Sequence, residues 1–431
     1  MLVYVSLLVC VLIMSGESCI DKERQALLDF KEDIQDPQNM LQEWGGSLEE
    51  NKDCCKWVGV SCNNHTGRVI GLDLSTSSGL AGNISPSLPL LNQLRYLNLY
   101  GIDFLSNTIP TFLGSLTKLQ SLVMSEANLT RPIPSQLGNL SSLVHLDLTG
   151  NHLVGSIPFS LGELRSLTYL DLSFNQLGGV IPESFGNHSS LIQMYLSGNI
   201  LNGSMPDFVG CLNLTELHLN DNNLHGGLPN FTKCSSLSVL YLFNNSLNGS
   251  IPDFTDCLSQ MTLYLANNQL SGNIPNTMGQ LPNLVNVDVS HNSLDGNLSD
   301  FTGCQSQQHL SLSSNRLSGN SPNSSGQVSN LQHIDFSYNS LHGSIPDFTG
   351  CPSLTWLDLS SNRLSGNLPN STGFLEICLS CVILIGDRLS LTSPTIHFQA
   401  ACLIVSKTRY LFLNYQITIV WQNSFFFGFI V

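Results

Sequence analysis

The chain has 431 residues, a formal net charge of -15, only 11% charged residues and thirteen cysteines. That acidity excludes nucleic acid and anionic lipid as partners held by charge alone, since both carry the same sign. So few charges leave solubility to Asn, Ser, Gly and attached sugars, and the cysteines fit an oxidising, secretory environment, as twelve of the thirteen lie beyond the first apolar segment.

In chain order, residues 2–14 form a short apolar run followed by small and polar residues, so residues 1–18 are expected to be a secretory signal peptide rather than a membrane span. Residues 21–34 place Ala26, Leu27, Phe30 and Ile34 at helical spacing and stop before Pro37, which predicts an amphipathic capping helix. Residues 53–62 then read DCCKWVGVSC. The helix, Trp44 and this cysteine segment resemble the N-terminal cap, residues 19–67, of plant extracellular leucine-rich-repeat proteins. That family includes receptor-like proteins, receptor-kinase ectodomains and polygalacturonase-inhibiting proteins. The resemblance implies bridges Cys19–Cys54 and Cys55–Cys62, each restricting the unfolded chain by about 2 to 4 kcal/mol.

Over residues 68–373 one phrase returns about thirteen times, in its best copy as Leu143, Leu146, Leu148, Asn151, Leu153, Gly155, Ile157 and Pro158. Its asparagine recurs every 23 or 24 residues at Asn151, Asn175, Asn199, Asn222, Asn245, Asn268, Asn292, Asn315, Asn339 and Asn362. Such a period predicts an α/β repeat fold, a leucine-rich-repeat solenoid wound as a right-handed superhelix or horseshoe behind a helical, disulfide-bonded cap. Each Leu-x-Leu core reads as a short strand of a parallel sheet, leucines inward. The asparagine amide is expected to satisfy backbone groups where the chain turns out of the strand, one coil after another. The Gly-x-Ile-Pro element extends the family resemblance over residues 19–372.

Thirteen Asn-x-Ser/Thr sequons offer glycosylation at Asn64, Asn83, Asn128, Asn139, Asn187, Asn202, Asn213, Asn230, Asn244, Asn248, Asn297, Asn323 and Asn370. None is a ladder asparagine, because leucine holds the +2 position there. In the shorter repeats Phe-x-x-Cys replaces Leu-Gly-x-Leu, which puts Cys211, Cys234, Cys257, Cys304 and Cys351 in one register. The expectation is buried small apolar side chains. A bridge between coils is open only to Cys211, Cys234 and Cys257, and the pairing of Cys378, Cys381 and Cys402 stays open. Residues 374–431 lose the pattern, and their apolar runs are too short for a spanning helix. They read as a truncated or misannotated end and leave membrane anchoring open.

Function in such a scaffold is sought at the solvent-facing strand positions, which lie in rows ~4.8 Å apart. Most rows carry Asp, Ser or Thr, but aromatic side chains take over at Tyr169, Phe174, Tyr195, His218, Tyr241, Phe243 and Tyr264, the candidate ligand site. Asp147 with Asp171 and Asp335 with Asp358 form carboxylate pairs, but they belong to the repeated Leu-Asp-Leu-Ser phrase and offer no catalytic pocket. His309 and His333 lie beside Trp356 and lack a third metal ligand. With no phosphate-cradling loop, nucleophile elbow or kinase phrase, no enzyme, cofactor or metal is expected. The reading is a secreted or plasma-membrane-surface recognition protein resembling a receptor-like protein. Its expected ligand is a peptide, cell-wall fragment or microbial protein, with a co-receptor kinase as signalling partner in plant defence. The alternatives are a secreted inhibitor of microbial wall-degrading enzymes or a nonfunctional receptor fragment.

Overall fold

In a computed structural model, the described residues are 19–46, 52–229, 231, 234–254, 261–298, 301, 304–320, 328–345 and 350–365, with the short strands Val382–Ile383, Leu403–Ile404, Leu411–Asn414 and Gln416–Ile419. The signal segment 1–18, Cys257, Cys378, Cys381, Cys402 and the sequon residues Asn230, Asn323 and Asn370 lie outside them. The chain divides into two compact units, Met1–Asn175 and Gln176–Val431.

The first unit opens with the helix Asp21–Glu32, whose Ala26, Leu27 and Phe30 are buried. The helix ends two residues before Ile34, which instead pairs antiparallel with Gly82 through the two-residue strand Ile34–Gln35. Trp44 is wedged between Phe30, centroids 6.4 Å apart, and Trp57, stacked at 5.4 Å, and its indole N–H donates to the Val58 carbonyl at 3.1 Å. Cys19–Cys54 and Cys55–Cys62 are bridged as the family resemblance implied, with Cα atoms 5.4 and 5.5 Å apart. Asp53 closes this corner by accepting from the backbone N–H groups of Cys19 and Cys55.

One cap contact carries no periodic signal. Glu23 on the helix is 1% exposed; one carboxylate oxygen pairs with Arg68 Nε at 2.6 Å and the other accepts from the Val69 N–H at 2.8 Å. A buried acid is tolerated because both oxygens are satisfied, and it locks the helix to the first repeat strand.

That strand, Val69–Asp73, pairs antiparallel with Val60–Cys62 and parallel with Tyr96–Asn98; Ser121–Val123, His145–Asp147 and Tyr169–Asp171 follow in order. In the second unit eight more strands run parallel in chain order from Gln193–Tyr195 to Trp356–Asp358, each in step with its neighbour apart from one irregularity at Met261/Thr262. Their leucines are buried, each contributing on the order of 1.5 to 3 kcal/mol.

The asparagine ladder forms as expected. In every one of the ten copies the side-chain oxygen accepts a backbone N–H from the preceding coil at 2.9–3.0 Å: Leu129 to Asn151, Leu201 to Asn222, Leu341 to Asn362. The amide nitrogen donates to carbonyls of its own turn and, as in Asn222 to Leu196 and Leu219, to the coil before. Ladder asparagines are buried or half-buried, whereas of the ten described sequon asparagines nine are exposed and Asn128 is half-buried.

Immediately after each ladder turn the chain forms a second parallel sheet, absent from the sequence reading. In the first unit Thr130–Pro132 pairs with His152–Ser156; in the second a run goes from Gln176–Gly179 through Ser293–Asp295, and Ser318–Asn320, Ser340–Gly343 and Arg363–Leu364 make a three-stranded sheet of their own. Opposite the first sheet, Leu-Gly-x-Leu copies make short 3-10 turns such as Thr111–Ser115 and Ser135–Asn139. Gly114 is required there because a Cβ would overlap the Gln136 carbonyl oxygen of the next coil. In the Phe-x-x-Cys copies, Phe208, Phe231 and Phe254 stack at 6.1 and 5.8 Å. Cys211 and Cys234 are buried, unbridged thiols, donating to the Phe185 and Phe208 carbonyls, and burial pushes both pKa values up to about 11.

Candidate functional site

The Leu-x-Leu strand position that carries Asp in so many repeats has a structural duty. Asp73, Asp147, Asp171, Asp288, Asp335 and Asp358 each accept the backbone N–H of the residue two further on, at 2.8–3.0 Å, closing an Asx turn at the strand's end. The carboxylate pairs Asp147/Asp171 and Asp335/Asp358 do stand in register, but turn-closing engages one oxygen of each. Burial raises the Asp171 pKa, opposed by the Ser173 bonds.

In the second unit four consecutive strands abandon that aspartate for Tyr195, His218, Tyr241 and Tyr264, which are register partners in a single column. The rings stack down the column: Tyr195 meets His218 edge-on at 4.7 Å, His218 lies 4.4 Å from Tyr241, and Tyr241 lies on Tyr264 at 4.9 Å and 9°. Phe243, two residues past Tyr241, sits 6.1 Å from it. All five side chains are half-buried rather than fully exposed, because each ring covers part of its neighbour. Desolvation sets the electrostatics. It lowers the His218 pKa against the pull of Glu216, and raises those of Tyr241 and Tyr264 with smaller help from Glu216 and from Tyr241 itself, respectively.

Tyr169 and Phe174 lie in the first unit and in other positions of the repeat. Tyr169 opens its strand and stacks on His145 at 4.2 Å and 7°. Burial lowers the His145 pKa, opposed by Asp147 and Asp171. Phe174 is off the strand, in the turn before Asn175 with φ 54° and 67% exposed, a left-handed conformation that a bulky residue adopts only under constraint. Tyr338 repeats this at φ 52° and 63% exposed. The sequence reading passed over Tyr338, and over the exposed Tyr96 and Tyr100 of the first unit.

It also passed over Glu216. This side chain accepts the Tyr195 hydroxyl at 2.6 Å on one oxygen and the Gln193 amide at 3.0 Å on the other, and lies 3.7 Å from His218 Nε2. Farther along the second unit His309, His333 and Trp356 form another column, stacked at 4.3 and 5.6 Å. Desolvation and then His309 lower the His333 pKa, against Asp335 and Asp288. Among the described residues the histidines gather no third metal ligand; the metal-like cluster found is Cys19, Cys54 and Cys55, whose sulfurs are in disulfides.

Comparison with known proteins agrees with this architecture. The family model for the leucine rich repeat N-terminal domain matches residues 20–63, and leucine rich repeat models match 142–164, 165–224, 236–258, 261–281 and 301–364. The chain belongs to the leucine-rich-repeat family. It is similar to receptor-like protein EIX1 of Solanum lycopersicum, 41% identical over 119 residues, which cover 25% of this chain and 11% of that one. Among solved structures, the plant peptide hormone receptor RGFR1 in complex with RGF2 is 33% identical with a TM-score of 0.68, covering 72% of this chain and 50% of that chain. PEPR1 with AtPEP1 is 27% identical with a TM-score of 0.73, covering 89% and 59%. The match thus spans about a tenth of the curated receptor-like relative. No helix among the described residues is long and apolar enough to cross a membrane.

Proposed function

We propose that this leucine-rich-repeat protein is an extracellular recognition protein that docks a peptide on the column Tyr195, His218, Tyr241 and Tyr264, flanked by Phe243. The observation that carries the reading is the exchange at one strand position. Four successive repeats give up the turn-closing aspartate for rings stacked at 4.4–4.9 Å. The scaffold gains no such turn bond from these side chains, so the exchange is explained by what they present outward. Rigid aromatics with a polar tip supply contact area at low entropic cost. Support for a peptide ligand comes from the similar fold of the plant peptide hormone receptor RGFR1, solved in complex with RGF2. Tyr169 and Phe174, in the first unit, are further candidate contacts.

In this reading the protein acts without a catalytic step. Binding is converted to signal by a co-receptor kinase at the cell surface, and plant defence is the role assigned to it here. The sequons bear sugars on the exposed faces. The test is alanine replacement of Tyr195, Tyr241 and Tyr264 in secreted protein, with peptide capture as readout. Secretion is expected to be unchanged while capture is lost; capture at wild-type affinity would remove the column from the site. Capture of a pectin-degrading enzyme instead of peptides would shift the reading to an inhibitor.

A further inference from the structure

The chemistry around the tyrosine column narrows the class of peptide it accepts. Residues 176–300 contain two Glu and seven Asp against one Lys and no Arg, so this stretch is strongly anionic. Within it, carboxylates bracket the column. At one end Glu216 is held by the Tyr195 hydroxyl at 2.6 Å and the Gln193 amide at 3.0 Å, with its side chain still 30% exposed. At the other end Asp288 is the register partner of Tyr264. Between them the Tyr241 and Tyr264 rings lie parallel 4.9 Å apart, and their hydroxyls have no hydrogen-bond partner among the described residues.

This is an acceptor-rich, half-desolvated strip with no cation of its own. A free anionic peptide meets like charge there. An apolar one strips water from the pinned carboxylate and supplies no opposite charge to offset it. A guanidinium or ammonium satisfies both demands, because its N–H groups can be shared by carboxylate and phenol oxygens while its stem packs on the rings. Resting on the docking role proposed above, we infer that the occupant is a basic peptide segment that places an arginine or lysine against Glu216, Tyr241 and Tyr264, with an apolar neighbour on Phe243.

The inference is tested by panning a random twelve-residue peptide library on the secreted chain, keeping peptides that Tyr241→Ala fails to retain, and measuring the synthetic peptides in solution. Enrichment of arginine or lysine is expected. Replacing that arginine with neutral citrulline, or Glu216 with Gln, which keeps the Tyr195 hydrogen bond, is expected to weaken binding about tenfold, the scale of one partly desolvated charge pair. Asp295→Asn removes the same charge from an exposed site on the second sheet and should leave affinity unchanged. Should the alanine variant misfold, Tyr241→Phe with Tyr264→Phe keeps the stack and removes both hydroxyls, and a several-fold loss is expected. Tyr241-dependent peptides that lack cations, or that ignore Glu216→Gln, overturn the basic-segment inference and leave the docking role standing. An equal loss with Asp295→Asn shows general charge attraction and overturns it too. Failure to select any peptide that depends on the tyrosines overturns both.

Discussion

Gln307 sits where other repeats open with a buried leucine, between Leu284 and Leu331 in neighbouring coils, and it is 0% exposed. Neither its amide nitrogen nor its oxygen has a hydrogen-bond partner among the described residues. Leaving a buried amide unpaired costs roughly 1 to 3 kcal/mol by mutational measures. Replacing it with leucine removes that penalty and adds apolar burial worth on the order of 1 kcal/mol, for a total gain of about 2 to 4 kcal/mol. Because repeats interact with nearest neighbours, the gain is expected to appear first as slower hydrogen exchange in the adjoining strand His309–Ser311. A melting shift of several degrees should accompany it, at about 2 to 4 °C per kcal/mol for domains of 150 to 250 residues. Gln307→Glu serves as the opposite control, since an unpaired buried charge should destabilise. Unchanged or faster exchange in Gln307→Leu would refute the reasoning, because it would mean the amide is satisfied in solution.

The ladder gives a paired comparison in adjacent coils. Asn222→Ala strands the Leu201 N–H and takes one of two asparagine donors from each of the Leu196 and Leu219 carbonyls, which Asn199 and Asn245 still serve, and should cost about 1 to 3 kcal/mol, while Asn202→Ala at the exposed sequon position should stay within about 0.5 kcal/mol; denaturant titration of both variants reads the difference. His145, His218 and His333 have pKa values lowered by burial below 6.5, so the unfolded chain binds more protons and their contribution to stability is present above pH 6.5 and lost as pH falls below it. Melting curves from pH 7.5 to 5 should show that decline, and it should be shallower in His218→Gln; identical slopes would discard the assignment. With pKa values near 11 and no solvent access, Cys211 and Cys234 should resist alkylation in native protein at pH 8 and react once denatured, with intact mass showing no bridge between them.

Cap and ladder were legible because each follows from local chemistry at fixed spacing: a leucine in the core, an asparagine where backbone groups need partners. The second sheet was missed because each of its strands carries little more than one inward leucine beside glycine, as in Ser246–Gly249, too short for an alternation to register. Phe174 was assigned to a strand face, although a signal for its turn existed. The residue just before a ladder asparagine is left-handed in copy after copy, and Gly150, Asp221, Asn244 and Asn267 occupy it in others, residues that favour that conformation. Glu216 had no such marker. Its significance arises only when the coil places Tyr195 and Gln193 of the preceding repeat around its carboxylate, a relation between residues 21 and 23 apart in sequence. The same logic underlies the proposal that the column is a docking site. A repeat protein can vary any outward residue without disturbing its core, but the aspartate at this position closes the turn, so replacing it costs a hydrogen bond each time. One such loss is drift; a loss in four successive coils, with the rings converging in one stack, is the pattern expected where a ligand sets the choice of side chain.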